Sequence, residues 1–244
     1  IISANTTSWD ATSRLGPGSA VTAQMMIGQI NDIMLAEWKR KAWDGKNGQE
    51  IVIVHVGDPD GTPMDNAFYS GTENFVAIGD GEQLFKPLAG AFDVLAHELG
   101  HAVTATSSAL AFGDLPGTVN EHISDVFGAV IEHAVRPDPS TNWKIGEGFV
   151  LKSATTPLRD MEDPSKGLES QGSHLSEFVQ TTADNGGVHI NAGIPNNAAF
   201  LATMGGTNPV SKITVKKGFG WSNLSQVWFR ADTAGVYRGQ CAEF

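Results

Sequence analysis

Only one of the 244 residues is a cysteine, Cys241. No disulfide can close within the chain, and a zinc site built from several thiolates is excluded. Long hydrophobic runs are missing as well. No stretch of about 18 apolar residues occurs, the length a membrane-spanning helix needs. Basic charge is scarce: 16 Lys and Arg stand against 27 Asp and Glu, a formal net charge of −11. A nucleic-acid-binding face needs clustered Lys and Arg. The one cluster, Trp38 to Lys41, closes an apolar-periodic segment, where cations suit a helix C-terminus. Neither a nucleic acid nor a membrane is expected as a partner. The opening IISANTTSWD has no basic stretch followed by an apolar one, so no secretory leader is expected in it; a mature form that had shed one would look the same.

What is present reads as globular: 41% hydrophobic and 18% charged residues. From Ser19 to Lys41, Met26, Ile30, Ile33, Met34 and Trp38 recur at helical steps. IVIVHV (Ile51 to Val56), NAFYSG and NFVAIG read as strands. Leu88 to Leu110 reads as a helix buried on most sides, and Thr118 to Val135 as a second, after the FGDLPG break. A long polar stretch rich in Pro and Gly follows, then IPNNAAFLATMGG and SNLSQVWFRAD as later helices. The expected class is α+β. Residues 1–87 would form a compact β-containing lobe and 88–244 a mostly helical lobe, with a site between them.

The chemistry concentrates in AHELGHAV. On a helix, positions i and i+4 share a face, so His97 and His101 can aim two nitrogens at one ion. Glu98 lies about 100° round the helix from His97, beside such an ion, placed to take a proton from water. A catalytic zinc takes three protein ligands and keeps one position open. VNEHISD on the next helix offers Glu121 as the third. Asp125, one turn on, suits the outer-shell carboxylate that orients His97, and Asn120 the same service to His101. His55, His122 and His133 read as structural. Far along the chain, DNGGVHINAG holds Asp184 and His189. A Gly-Gly turn and a short strand would present His189 to the site. Asp184 would fix its tautomer, and an N–H-donating imidazole is what a tetrahedral oxyanion needs.

HELGHAVT, VNEHISD and DNGGVHINAGIPNNAAF, taken in order, resemble the thermolysin-like zinc metalloendopeptidases, from about Asp65 to Phe200. The two-His, one-Glu zinc set is that family's known arrangement. The resemblance implies the family's fold and one catalytic zinc on His97, His101 and Glu121. It implies Glu98 as general base and His189, oriented by Asp184, as oxyanion donor. Asn66 and Ala67 match the family's edge segment that holds an extended substrate. Arg159 matches an arginine that binds a substrate carbonyl beside the pocket after the scissile bond. Phe85, Leu88, Val94 and Leu158 would line that pocket and favour bulky hydrophobic residues. Peptides or proteins are the implied substrates, and a secreted or extracytoplasmic location is implied.

Four departures from the family pattern matter. Phe112 stands where the family places an oxyanion-donating tyrosine, so reduced or altered activity is expected. At the family's calcium site, Asp93, Glu132 and Glu147 match, with Asp138 as an optional ligand, but Lys144 and Asn142 replace acids. One structural calcium is expected rather than two. The part before Asn66 is shorter than usual. The chain stops at RGQCAEF, where family members continue with more helix: either this end is unusually short, or the remainder was removed or belongs to another chain. A C-terminal partner segment or tail is expected as cover, with a propeptide as a further expected partner. The alternative function is a weak or inactive zinc-binding homologue acting as an interaction domain. An aminopeptidase would need an acidic anchor near Asn66, and no motif supplies one.

Overall fold

The computed structural model describes residues 18–138, 142–153 and 155–229. Cys241 lies outside them. Helix α1 (Gly18–Trp38) buries Met26, Ile30 and Met34, the four-residue stripe its sequence shows. Lys39, with φ 55, ends it. A three-stranded sheet follows: β1 (Val52–Val56), β2 (Ala67–Ser70) and β3 (Phe75–Gly79), in the order β1-β3-β2. β1 runs parallel to β3 and β2 antiparallel to it. β2 is therefore an edge strand.

The expected helix from Leu88 is divided. Leu88–Gly90 forms a single 3₁₀ turn, Ala91 is extended (φ −83, ψ 101), and α2 (Phe92–Thr106) starts after it. Asp93 then sits in the first turn of α2, favourable to the helix dipole. Ala109, with φ 50, keeps the tail out of the helix. α3 (Asp114–Val135) begins four residues before Thr118, because Pro116 falls in a first turn whose N–H groups have no intrahelical partner anyway.

α3 is the central helix. One side packs with α1, the sheet and α2 through Phe127 and Ile131. The other packs through Val126 and Val130 on Trp143, Met161, Ala199 and Leu224. Burying a residue such as Ile131 fully contributes about 1.5–3 kcal/mol. Two glycines let α2 and α3 approach closely: a Cβ on Gly100 would meet Ser124 Cα at 3.0 Å, and one on Gly128 would meet Asp93 O at 2.9 Å. That closeness brings the HELGH face against Glu121.

Beyond α3 the regular structure is sparse, as the Pro- and Gly-rich composition implies. β4 (Lys144–Ile145) pairs antiparallel with β5 (Arg159–Asp160), placing Arg159 opposite Ile145. A short turn of helix, α4 (Asp184–Gly187), leads into α5 (Gly193–Met204). β6 (Gly206–Thr207) and β7 (Thr214–Val215) pair as a small ribbon, and α6 (Trp221–Phe229) is the last described element. The strand expected before His189 is absent. Asp184, Asn185, Gly186 and Gly187 instead take positive φ of 51, 50, 92 and 80. A Cβ on Gly186 would meet Asp114 Oδ1 at 2.3 Å, so this tight turn needs its glycine. No described helix is long and apolar enough to cross a membrane.

Candidate metal centre and catalytic cleft

His97 and His101 project from α2 with their Nε2 atoms 3.0 Å apart and the rings edge to face. Glu121 comes from α3: its Oε2 lies 3.4 Å from His97 Nε2, and its Oε1 lies 3.3 Å from His101 Nε2. These are ion-pair distances without hydrogen-bond alignment, and both Glu121 oxygens are buried with no hydrogen-bond partner. Such a carboxylate is costly unless something else satisfies it. Among the described residues, His97, His101 and Glu121 are the one group of three or more His, Cys, Asp or Glu whose ligand atoms lie within 4.8 Å of one another.

The residues fit zinc. A tetrahedron with metal–ligand bonds of about 2.0–2.1 Å has edges of about 3.3–3.4 Å, close to the separations found. The outward nitrogens are engaged. His97 Nδ1 meets Asp125 Oδ1 at 2.8 Å, and His101 Nδ1 meets Asn120 Oδ1 at 2.9 Å and Ser124 Oγ at 3.0 Å. With Nδ1 engaged in each ring, Nε2 is the nitrogen turned towards Glu121 and available to an ion. Asp125 and Asn120 thus stand where the sequence reading placed them, and Ser124 is an addition to it. The site favours positive charge. Burial alone would pull the His97 pKa down, yet Asp125 and Glu121 push it up to about 10.

Asp125 is fully buried and more heavily engaged than the sequence suggested. Arg159 donates Nε to its Oδ2 at 2.9 Å and Nη2 to its Oδ1 at 2.7 Å. Asn196 donates Nδ2 to Oδ2 at 2.8 Å. Burial by itself would raise this carboxyl, but Arg159 and His97 hold it far below the usual carboxylate range. Arg159 lines the cleft with a guanidinium already shared: Nε and Nη2 serve Asp125, and Nη1 faces Glu169 Oε2 at 3.4 Å.

His189 reaches the same centre from the turn after α4, with Nε2 3.3 Å from Glu121 Oε1. Its Nδ1 lies 2.6 Å from Asp184 Oδ1. Burial lowers its pKa, but Glu121 and Asp184 outweigh that and raise it to about 9. Phe112, half exposed, sets its ring edge-on to His101 at 5.7 Å and to His189 at 6.2 Å.

A cleft of about 760 Å³ joins these groups. Glu98, itself buried, lies on its wall beside His97 and His101. Phe85, Leu88, Val94 and Leu158 supply an apolar side, as expected from the sequence. Asn66 and Ala67 line it where edge strand β2 begins, and the Asn66 carbonyl accepts from Gly79 N–H at 2.9 Å. Asp65 went unnoticed in the sequence. Its carboxylate accepts the backbone N–H groups of Glu82, Gln83, Leu84 and Phe85 at 2.7–3.0 Å, tying the edge segment to the apolar wall.

Asp93, Glu132 and Glu147 gather at the start of α2, one turn before His97. Burial first, and the Asp93 charge second, raise Glu132 to about 7 and Glu147 to about 9. Glu132 Oε2 and Glu147 Oε2 are buried without a hydrogen-bond partner. Asp93 accepts from Gly146 N–H. Asp138 is exposed. Asn142 ties its loop to α3: Oδ1 accepts from Asp138 N–H at 2.6 Å and meets His133 Nδ1 at 3.0 Å, Nδ2 donates to Arg136 O at 2.9 Å, and the side chain also hydrogen-bonds Glu132. The histidines read as structural have protein partners. His55 Nδ1 meets Asp80 at 2.8 Å, and His133 stacks on Trp221 at 4.1 Å. His122 meets Asn196 and Trp228.

A family model of the thermolysin metallopeptidase catalytic domain matches residues 1–105, and one of its alpha-helical domain matches residues 108–243. The chain belongs to the thermolysin metallopeptidase family. It is 36% identical over 214 residues to a bacillolysin of Bacillus caldolyticus and, equally, to a thermolysin of Alicyclobacillus acidocaldarius subsp. acidocaldarius. Each match covers 87% of this chain and 37% of the relative. The chain thus spans well under half the length of these thermolysin-family relatives. Among solved structures, a precursor of protealysin, a metalloproteinase from Serratia proteamaculans, superposes with a TM-score of 0.67 at 32% identity. That match covers 76% of this chain and 59% of the other. The α+β class and the thermolysin-like arrangement expected from the sequence hold.

Proposed function

We propose that this chain is a secreted zinc endopeptidase that cuts peptides on the N-terminal side of bulky hydrophobic residues. One observation carries the reading. Two imidazole Nε2 atoms and an unsatisfied buried carboxylate converge at ligand spacing, on the wall of a cleft that also holds Glu98. His97, His101 and Glu121 would hold the ion. A zinc ion held there would supply Lewis acidity, to polarise a scissile carbonyl and make a water more acidic. Glu98 takes the proton from the attacking water and later delivers it to the leaving amine. His189, held by Asp184, donates Nε2–H to the oxyanion. The free edge at Asn66 and Ala67 aligns the extended substrate as an added strand. Phe85, Leu88, Val94 and Leu158 receive the apolar side chain, and Arg159 Nη1 approaches the adjoining carbonyl.

We assign one calcium to the Asp93, Glu132 and Glu147 cluster, where two unsatisfied buried oxygens support it. Asp138, whose charge acts on Glu132, would be an optional further ligand. A propeptide as partner belongs to the same reading, supported by the likeness to a protealysin precursor. So does the secreted location, supported by an extracellular metalloprotease of Pectobacterium carotovorum subsp. carotovorum, 31% identical over 217 residues. A second reading, a weakly active zinc-binding homologue, is favoured by one feature alone: Phe112 brings a phenyl ring where a donor would act.

The specificity is tested by mapping cleavage of peptide pairs with free and blocked N-termini by mass spectrometry. Equal internal cleavage of both, before Leu or Phe, is expected. Removal of single residues from free N-termini alone would overturn the endopeptidase reading.

A further inference from the structure

Behind Asp125 runs a line of buried hydrogen bonds with no link to substrate. Trp228 Nε1 donates to His122 Nε2 at 2.9 Å. His122 Nδ1 meets Asn196 Oδ1 at 2.8 Å. Asn196 Nδ2 donates to Asp125 Oδ2 at 2.8 Å, and Asp125 Oδ1 meets His97 Nδ1 at 2.8 Å. His122, Asn196 and Asp125 are 7%, 0% and 0% exposed. The four contacts join α6, α3 and α5 to the HELGH helix.

The direction of every bond follows from one group. An indole N–H only donates, so His122 Nε2 must accept. The proton of a neutral imidazole then sits on Nδ1, which donates to Asn196 Oδ1. That fixes the amide: oxygen towards His122, Nδ2–H towards Asp125. The Asp125 carboxylate receives a donor whose orientation was set two residues away, and it presents Oδ1 to His97. Such a fully satisfied buried network is rigid, and its members polarise one another in one sense.

We propose that Trp228, His122 and Asn196 form a positioning relay for the metal centre, setting the Asp125 carboxylate and through it the ligand nitrogen of His97. The proposal rests on the reading of His97 as a zinc ligand. Asn196 and His122 touch neither substrate nor metal, so they are positioning residues. Helix α6 thereby gains a hold on metal affinity from the far side of α3.

The test compares zinc dissociation constants, by competition with a chromophoric chelator, for wild type, Asn196→Leu, Trp228→Phe and His97→Ala. The apo-protein melting temperature of each is recorded alongside. Loss of an outer partner of a metal ligand costs about 10–100-fold in affinity. One bond further out, Asn196→Leu is expected to weaken zinc by about tenfold. Trp228→Phe, which keeps a ring and removes the donor, is expected to weaken it several-fold with a folded apo-protein, so the test survives if Asn196→Leu does not fold. The ¹⁵N spectrum of His122 should show Nδ1 protonated in wild type, and a mixture of tautomers in Trp228→Phe. Zinc affinity within twofold of wild type in the folded Asn196→Leu protein, or in folded Trp228→Phe where Asn196→Leu does not fold, overturns the relay, as does a wild-type Nε2–H tautomer. Unchanged affinity in His97→Ala would instead overturn the ligand assignment, so the two failures are distinguishable.

Discussion

Asp184 holds His189 by ring and backbone at once: Oδ1 lies 2.6 Å from Nδ1, and Oδ2 accepts the His189 backbone N–H at 2.8 Å. A third bond, from Ile190 N–H to Oδ2 at 3.1 Å, closes the grip. With Nδ1–H committed to Asp184, only the imidazolium has an N–H left at Nε2 to offer an oxyanion. Asp184→Asn should therefore lower kcat by about ten- to a hundredfold with little change in KM. The sign of the pH effect follows. The charged form is favoured in the fold, with the pKa raised from the ordinary value of about 6.5 to about 9. Its stabilisation is complete below about pH 6.5 and is lost as pH rises through the folded value. The alkaline limb of the wild-type rate profile should move to lower pH in Asp184→Asn. A limb that stays in place would contradict the assignment.

Phe112 is half exposed, with a ring edge near both His101 and His189. Phe112→Tyr adds a hydroxyl without crowding a core. A used oxyanion donor contributes about a hundredfold or more. The substitution should raise kcat by at least about tenfold and leave the melting temperature within a degree or two. Steady-state kinetics on one blocked peptide decides it, and an unchanged kcat would show that the ring is turned away in the working complex.

The Asp125–Arg159 pair is buried on both sides. Removing one partner strands the other's charge, which costs about 3–5 kcal/mol. Asp125→Ala should lose that much stability in urea unfolding. The double variant Asp125→Ala/Arg159→Leu should recover part of it, because no charge is left unpaired. Additive losses would mean the pair is not coupled.

The acid cluster predicts a pH trend of the same sign as that of His189, although the groups are carboxyls. Glu132 and Glu147 are raised by burial and by Asp93 to about 7 and about 9, against an ordinary value of about 4.3. A carboxyl with a raised folded pKa contributes most below its unfolded value, and stability falls as pH rises through the folded one. Without calcium, the melting temperature should therefore fall between about pH 5 and pH 9. With millimolar calcium the fall should shrink or reverse, since the ion favours the ionised forms. Glu147→Gln should abolish the calcium response and raise the calcium-free melting temperature at pH 8. No calcium effect in wild type at pH 8 would remove the site.

Residues close in sequence were legible; partners distant in sequence were not. The spacing of His97, Glu98 and His101, and of Asn120, Glu121 and Asp125, lies within two helices whose periodicity is plain. Pairing those helices needed only a short connection. Arg159 is 34 residues from Asp125, Asn196 is 71 from it, and Trp228 is 106 from His122. No periodicity links such partners; they meet because α3 is packed on both sides. The turn at Asp184 was misread as leading into a strand. Two left-handed non-glycine residues precede the glycines there, and only tertiary contacts hold them so. Asp65 was missed because its partners are backbone amides, which carry no sequence signal.

The central claim is peptide hydrolysis by Glu98 at the His97, His101 and Glu121 centre. Wild type and Glu98→Ala, both loaded with zinc, should be compared on an end-blocked peptide with a central Leu or Phe. The account predicts cleavage before that residue by wild type, stopped by a zinc chelator and lower by about 10²–10⁴-fold in the variant. Absence of cleavage by folded, zinc-loaded wild type, or equal rates for the two proteins, would contradict it.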